Sequence, residues 1–204
     1  MMNRDLIVLL HGVGSRGSDL QAVAEHWQQA TPHAFIALPD GPSAFDMGPG
    51  FQWFSVSGIT EESRPVRIAA AREAFDATLT DLFRERGINP VKDRVVLAGF
   101  SQGAIMAMDA LVRGDYPLAG VVAFSGRLAS PQPLQPITGS TALLIHGKSD
   151  PVIGWTESLK AAEALCAAGV KVELCLEENV SHTITVAGIR TATNFINKLF
   201  TPDA

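Results

Sequence analysis

Short runs of consecutive apolar residues recur along the chain, separated by longer segments in which apolar residues are spaced as in a helix. A short apolar run bounded by turn residues is typical of a strand that is buried on both faces of a parallel sheet. Such runs lie at 6–10, 33–38, 94–98, 120–124, 142–146 and 171–176. The pattern therefore predicts a sheet of about six mostly parallel strands.

The intervening segments predict helices that pack against this sheet. The longest covers residues 61–86, and its apolar side chains fall on one helical face. Further helices are predicted at 19–30, 105–113, 156–168 and 183–199. Alternating strands and helices are typical of an α/β, doubly wound fold with helices on both faces, which binds ligands at the carboxyl ends of its strands. Residues 39–60 fit neither pattern and are predicted to be a long, ordered loop.

Composition places these elements in one domain, residues 1–204. The chain has 204 residues, 47% of them hydrophobic, which is enough for a sizeable core. Its net charge is −5 and no cluster of lysine and arginine stands out, so we expect no nucleic-acid partner. The apolar run at 6–10 is too short for a signal sequence or a membrane span, which favours a cytoplasmic protein without stable membrane association. Cys166 and Cys175 lie in apolar patterns and are predicted to be small core residues.

The clearest chemical motif lies where the third predicted strand meets its helix. Strand, G-x-S-x-G and helix is the arrangement of a nucleophile elbow, a tight turn that raises a serine Oγ above the end of the sheet. Here the motif spans Gly99 to Gly103, with Ser101 at its centre. In this interpretation the N–H of Gln102 points towards the position where an oxyanion forms. The alternative is a glycine-rich turn that carries an ordinary surface serine.

A serine nucleophile requires a histidine base. His182 follows the last predicted strand, so it is expected at the same edge of the sheet as Ser101. The alternative role for His182 is that of a solvated loop residue or a helix cap. Of the other histidines, His11 and His146 end strands and could line the site, but each is tied into a glycine turn.

The base in turn requires an acid that orients it, and Asp150 is the preferred candidate. It follows the fifth predicted strand, and the order serine, aspartate, histidine along the chain is that of α/β-hydrolases. A turn aspartate before proline is its alternative role, and Glu177 and Glu178 stay open as alternative acids. The glycine-rich turn at 11–14 can supply a second oxyanion donor, the N–H of Val13.

Four motifs, in this order and spacing, resemble those of the bacterial phospholipase/carboxylesterase family, the acyl-protein thioesterase-like branch of the α/β-hydrolases. They are H-G-V-G at 11–14, G-F-S-Q-G-A at 99–104, H-G-x-x-D-P-V at 146–152 and S-H-x-I at 181–184. The resemblance covers nearly the whole chain. Residues 52–60 look like a bacterial esterase subgroup and differ from the loop of the eukaryotic thioesterases. A second departure is Ser181, where the family usually has glycine.

The resemblance implies an α/β-hydrolase fold with Ser101, Asp150 and His182 as the triad and Val13 and Gln102 as the oxyanion donors. Because residues 39–60 contain no apolar helix that could form a lid and residues 125–141 are too short for a cap domain, we expect a compact, lidless version of the fold. We expect no cofactor and no metal. The related dienelactone hydrolases carry a cysteine nucleophile, so a serine at this position argues against their activity.

We therefore predict a serine carboxylesterase that hydrolyses short- to medium-chain esters through an acyl-enzyme. One alternative is an acyl-protein or acyl-CoA thioesterase or a lysophospholipase, and another is a non-catalytic binding protein on a hydrolase scaffold. The expected partner is a small ester or thioester, and a homodimer is left open.

Five side chains are candidates for the walls of a shallow acyl cleft. Trp53, Phe54 and Met47 lie in the long loop, and Ile153 and Trp155 lie just past the candidate acid. For the first two, packing of the loop against the core is the alternative.

Overall fold

Strands and helices alternate along the chain in a computed structural model that describes residues 3–201. The strands are β1 (Asp5–Leu10), β2 (Phe35–Ala37), β3 (Ser43–Ala44), β4 (Phe51–Gln52), β5 (Arg94–Phe100), β6 (Gly120–Phe124), β7 (Thr141–Gly147) and β8 (Lys171–Glu177). The helices are α1 (Gln21–Ala30), α2 (Ser63–Arg86), α3 (Gln102–Arg113), α4 (Thr156–Ala167) and α5 (Val186–Phe200). None of these helices, which all lie within residues 3–201, is long and apolar enough to cross a membrane.

Six of the strands form one parallel sheet in the order β2-β1-β5-β6-β7-β8. Strand β1 pairs with β2 on one side and with β5 on the other, so the direction in which the chain winds reverses at β1. In open α/β sheets, ligands bind in the crevice beyond the carboxyl ends of the strands at such a reversal. The topology therefore directs attention to the turns that follow β1 and β5.

Helices cover both faces of the sheet, as predicted. Leu6, Val8 and Leu10 of β1 belong to the core formed with α2, α3 and α4, whereas Ile7 and Leu9 belong to the core formed with α1 and α5. Successive side chains of a strand point to opposite faces, so a strand covered on both sides must be apolar at every position. This requirement explains the uninterrupted apolar run that identifies β1 in the sequence.

Helices α1, α2 and α5 begin two or three residues later than predicted, and α2 and α5 begin after a turn in which a side chain accepts a hydrogen bond from a backbone N–H. Helix α2 begins at Ser63, whose N–H donates to Thr60 Oγ1 at 3.2 Å while its own Oγ accepts from the Thr60 N–H at 2.8 Å. Helix α5 begins at Val186, because the Oγ1 of Thr185 accepts a hydrogen bond from the Gly188 N–H at 2.8 Å. Side chains that cap helices in this way satisfy N–H groups that have no partner within the helix.

The segment predicted as a long loop contains the two-stranded antiparallel hairpin β3–β4. Both strands are only two residues long, so the sequence pattern does not reveal them. They lie next to the turn after β1, where Gly14 N donates to Phe51 O at 2.8 Å.

The prediction that both cysteines are core residues is wrong for Cys166, which is exposed on α4, and Cys175 is partly buried on the edge strand β8. The buried positions of α4 are Ser158, Ala161, Ala162 and Leu165, so position 166 falls off the buried face.

Candidate active site

Ser101 lies in a sharp turn between β5 and α3, in a backbone conformation that side-chain-bearing residues rarely adopt. Its φ is 55° and its ψ is −115°. A Cβ on Gly99 would lie 2.3 Å from the carbonyl carbon of Gly103, and a Cβ on Gly103 would lie 2.1 Å from Leu10 O. The Ser101 N–H donates to Phe124 O at 2.9 Å. Both glycines are therefore required by close backbone approach, which holds the serine in its strained conformation.

The structure brings together the three side chains that the sequence singled out. His182 Nε2 lies 3.0 Å from Ser101 Oγ, and His182 Nδ1 lies 2.6 Å from Asp150 Oδ2. A carboxylate only accepts hydrogen bonds, so in the neutral imidazole the proton is on Nδ1 and Nε2 is free to accept from the serine hydroxyl. This is the arrangement in which a histidine can act as a base towards a serine.

The environment of Asp150 keeps its carboxyl group ionised. Asp150 Oδ1 accepts hydrogen bonds from the N–H of Val152 at 2.8 Å and of Ile153 at 2.9 Å. Burial acts to raise the pKa of Asp150, but the hydrogen bonds from His182 and from these two N–H groups outweigh it, so that the pKa is lowered. Asp150 therefore carries a negative charge at neutral pH, as an orienting acid must.

The two alternative acids make their contacts elsewhere. Glu177 accepts a hydrogen bond from Thr185 Oγ1 at 2.5 Å, beside the start of α5. Glu178 is largely exposed and pairs with Lys148. The side-chain hydrogen bonds of His182 go to Ser101 and Asp150. The geometry therefore favours Asp150 over both glutamates.

Two backbone N–H groups next to Ser101 are available to a ligand. A Cβ on Gly12 would lie 3.4 Å from Ser101 Cβ, so the turn after β1 passes directly against the elbow. Gln102 is the first residue of α3, where backbone N–H groups have no partner within the helix. Within residues 3–201, the hydrogen bonds outside regular helices and strands do not use the N–H of Val13 or of Gln102. Two such donors beside a nucleophile are what an oxyanion hole requires.

Trp53 lies inside the core rather than along an open cleft. It is 2% exposed, and Phe54 is 6% exposed. The Trp53 indole Nε1 donates to His11 O at 2.9 Å, and its ring packs edge-on against Phe75 with centroids 5.5 Å apart. The expected cleft wall of Trp53 and Phe54 is therefore corrected in favour of its alternative, loop-to-core packing.

The side chain of Gln102 fixes the backbone beside Trp53. Its Oε1 accepts from the Trp53 N–H at 2.8 Å, and its Nε2 donates to Phe54 O at 2.7 Å. One amide group thus satisfies two buried backbone groups of the long loop. These two hydrogen bonds tie the long loop to the elbow at Gln102, whose own backbone N–H is a candidate oxyanion donor.

His11 completes this connection on the other side. Its Nε2 accepts from the Gly41 N–H at 2.8 Å, so Nδ1 carries the proton and donates to Gly12 O at 2.7 Å. Burial lowers the pKa of His11, which outweighs the opposing effect of the Gly12 carbonyl, and keeps the ring neutral. Together, His11, Trp53 and the Gln102 side chain hold the turn that carries Val13 against the elbow.

The other three expected wall residues differ widely in exposure. Met47, which follows strand β3 in the chain, is 63% exposed, and Ile153, three residues after Asp150, is 7% exposed. Trp155 is half-buried, and the Lys148 ammonium lies 5.7 Å from the centre of its ring. Trp53 and Phe54 touch a groove of about 550 Å³ between the long loop and α2, and no triad residue lines that groove. Of the five expected wall residues, Met47 and Trp155 are thus the two whose side chains are accessible, and their role as cleft walls stays a prediction.

No metal centre is found in the part of the chain that the structure describes. Within residues 3–201, no group of three or more histidine, cysteine or carboxylate side chains is arranged to hold a metal ion.

Comparisons with known proteins relate this chain to esterases. Residues 2–200 match the model of the family described as phospholipase/carboxylesterase. The chain is 35% identical to esterase YpfH of Escherichia coli (strain K12) over 181 residues, which cover 89% of this chain and 77% of that protein. It is 23% identical to acyl-protein thioesterase 1 of Neurospora crassa over 209 residues, which cover 94% of this chain and 85% of the other. The crystal structure of esterase PE8 matches with a TM-score of 0.88 and 33% identity over 97% of this chain and 94% of that one.

Proposed function

Because this chain belongs to the phospholipase/carboxylesterase family of α/β-hydrolases, we propose that it hydrolyses carboxylic esters with Ser101 as the nucleophile. One observation carries the proposal: a hydrogen-bonded chain runs from Ser101 Oγ through both ring nitrogens of His182 to the ionised Asp150. The relatives named esterases support the reaction class. A binding protein on the same scaffold would not need all three groups in register.

The reaction begins with proton transfer from the serine. His182 Nε2 accepts the hydroxyl proton while Ser101 Oγ bonds to the acyl carbonyl carbon, whose π electrons move onto oxygen. The N–H groups of Val13 and Gln102 stabilise the resulting oxyanion. His182 then donates the proton to the leaving alcohol as the C–O bond breaks, which leaves an acyl group on Ser101.

The acyl-enzyme is hydrolysed by the same groups. His182 accepts a proton from water, the hydroxide bonds to the acyl carbon, and the proton returns to Ser101 Oγ as the carboxylic acid leaves. Asp150 does not take up a proton in either half of the cycle. Its negative charge holds the Nδ1–H tautomer of His182 and stabilises the imidazolium that forms.

Short- to medium-chain esters are the substrates we propose. Residues 125–140, all of which are described, connect β6 to β7 without a helix, so no cap domain is inserted there to enclose a long acyl chain. A thioester would follow the same steps with a thiol leaving group, and the relatives named acyl-protein thioesterases favour this as the second candidate.

The two free cysteines support a reducing, cytoplasmic setting.

A panel of p-nitrophenyl esters and matched thioesters of increasing acyl length tests the proposal. We expect kcat/KM for esters to rise over the first few carbons and then to fall. Each buried methylene should stabilise the transition state by at most about 0.8 kcal/mol. Rates that still climb at long acyl chains, and that are higher for thioesters, would put the thioesterase first. If the protein hydrolyses neither esters nor thioesters, the binding-protein alternative is favoured.

A further inference from the structure

The two edges of the six-stranded sheet differ in length. Strand β2 forms one edge and has three residues, whereas β8 forms the other and has seven. Strand β8 pairs with β7 residue for residue from Lys171 to Glu177, without a bulge, and it contains neither proline nor glycine. Short strands, bulges and prolines are common means by which proteins keep a sheet edge from pairing with another chain. Strand β8 uses none of these three.

Alternate residues of β8 direct their backbone groups away from the sheet. The Lys171 N–H donates to Ser140 O at 2.9 Å, and Glu177 O accepts from the Lys148 N–H at 2.9 Å, so the odd-numbered residues bond towards β7. The even-numbered residues therefore present their N–H and C=O groups to the open side of the strand. They are Val172, Leu174 and Leu176. Within residues 3–201, these outward groups take part in no strand pairing and in no other backbone hydrogen bond.

A second copy of β8 fits this edge when it runs antiparallel about a twofold axis at Leu174. In that register Leu174 faces its own copy, and Val172 faces the partner's Leu176. Each of these pairs can exchange two backbone hydrogen bonds, because both members present their N–H and C=O groups outwards. A contact in which each residue meets its counterpart on an identical chain is the kind that a twofold axis requires. All the outward backbone groups of β8 are then satisfied.

The charged side chains of β8 match in the same register. Lys171 is exposed and faces the partner's Glu177, so two pairs of opposite charge meet across the axis. Glu173 faces the partner's Cys175, so no like charges stand opposite each other. Within residues 3–201, the ion pair that involves β8 joins Glu173 to Lys198 of α5 at 3.7 Å and leaves Lys171 available. Opposite charges that face each other across antiparallel strands stabilise the pair, whereas like charges weaken it.

Apolar side chains meet on the other face of the strand. Val172 and Leu174 pack against the core that includes α4, but both stay partly exposed, as does Leu176. In the twofold register each of these side chains lies beside an apolar side chain of the partner. Burial of this remaining apolar surface favours association.

We propose that the protein forms a twofold dimer through β8, in which the sheets of two copies join into one. The proposal goes beyond the proposed function and does not depend on it. Strands β6 and β7 lie between β8 and the elbow that carries Ser101. Because β8 runs antiparallel to its copy, the carboxyl ends of the two sheets point in opposite directions, so the two candidate sites lie at opposite ends of the joint sheet.

Lys171→Glu and Lys92→Glu form a matched pair of variants. Each replaces an exposed lysine and changes the net charge equally, but Lys92 lies before β5 rather than in β8. We expect the wild type to be dimeric in analytical ultracentrifugation. The dimer dissociation constant should rise about tenfold in Lys171→Glu, because two attractive pairs become two repulsive ones. Lys92→Glu should dimerise as the wild type does.

A disulfide cross-link tests the register. Glu173→Cys places a thiol opposite the partner's Cys175 in a pair without backbone hydrogen bonds, where the Cα atoms of antiparallel strands lie about 4.5 Å apart. This separation suits a disulfide. With Cys166→Ser in the background, mild oxidation of Glu173→Cys should give a covalent dimer on a non-reducing gel. The same protein with Cys175→Ala should give none, because position 173 does not face its own copy.

The results separate the dimer from the proposed function. A wild type that stays monomeric at concentrations up to about 100 µM overturns the proposal. A dimer that is insensitive to Lys171→Glu, or that does not cross-link between positions 173 and 175, uses another surface or register and overturns it as well. A dimer that passes both tests but hydrolyses no ester leaves this inference standing while the proposed function fails. A monomer that hydrolyses esters gives the reverse result.

Discussion

The indole Nε1 of Trp53 donates a hydrogen bond to the carbonyl oxygen of His11 at 2.9 Å. This bond joins the long loop to the turn that follows β1, whose Val13 N–H is a candidate oxyanion donor. The Gln102 side chain anchors the same loop to the first turn of α3. The two proposed oxyanion donors, which come from separate parts of the chain, are thus held in register by one buried tryptophan.

The first prediction tests this connection. Trp53→Phe removes the indole N–H and leaves an aromatic ring to pack against Phe75. We expect kcat to fall about tenfold, less than the loss when an oxyanion donor itself is removed, because the turn loosens but its N–H groups remain. KM should change little. Steady-state kinetics on p-nitrophenyl acetate provide the measurement.

Trp27→Phe is the matched control. Trp27 is 1% exposed in α1, and among residues 3–201 its Nε1 has no hydrogen-bond partner. Its replacement removes a buried tryptophan N–H that makes no hydrogen bond to the described residues. We therefore expect kcat to stay within about twofold of wild type and stability to change little. Equal losses of activity in both variants would show that the Trp53 effect is one of general packing.

The second prediction concerns the acid. Asp150→Asn keeps the shape of the side chain but favours the wrong tautomer of His182, at an expected cost of about 10⁴ in kcat by analogy with the serine proteases. Glu177→Gln and Glu178→Gln should retain nearly full activity, because neither side chain contacts His182. If either glutamine variant is the crippled one, the acid has been misassigned.

The third prediction is the pH dependence of kcat/KM. Between about pH 5 and 8, the range in which histidines lose their proton, the rate should rise with pH in a single step, because His182 must be neutral to accept the serine proton. Asp150 should add no second step in that range, since its lowered pKa keeps it ionised throughout. A profile that is flat over this range would argue against a histidine base.

The fourth prediction concerns stability and follows from His11. Burial lowers the pKa of His11 in the folded protein, so the unfolded chain takes up a proton at a higher pH than the folded one. Stability should therefore fall as pH drops below about 6.5, the ordinary value for histidine. In His11→Gln this part of the decline should be absent, and in His26→Gln, which alters an exposed residue of α1, it should persist. Melting temperatures measured between pH 7.5 and 4.5 decide the matter.

Local patterns predicted much of this molecule because its central strands and its elbow are defined by adjacent residues. The run at 6–10 had to be apolar throughout, and the glycines around Ser101 are required by the turn itself. Whether Trp53 faces the core or an open cleft cannot be predicted from adjacent residues. It depends on His11 and Gln102, which are 42 and 49 residues away along the chain, and an aromatic residue in a loop does not reveal which surface it faces.

The contacts of His146, which is buried and whose Nδ1 lies 2.6 Å from Ser158 Oγ, could not be predicted for a related reason. Its position in a glycine turn at the end of a strand was visible, but its partner Ser158 lies 12 residues further on, in α4. The exposure of Cys166 depends on the rotational phase of α4, which one residue is enough to change. Contacts between separate elements, rather than the elements themselves, were beyond the reach of the sequence patterns.

The most direct test of the central claim is to trap the acyl-enzyme. Wild-type protein and the Ser101→Ala variant are treated with a fluorophosphonate and, separately, with p-nitrophenyl acetate quenched in acid, and their masses are measured before and after digestion. We predict one added group in the wild type, on the peptide that contains Ser101, and none in Ser101→Ala. A wild-type protein that gains no mass, or a label that persists in Ser101→Ala, would contradict the assignment of Ser101 as the nucleophile.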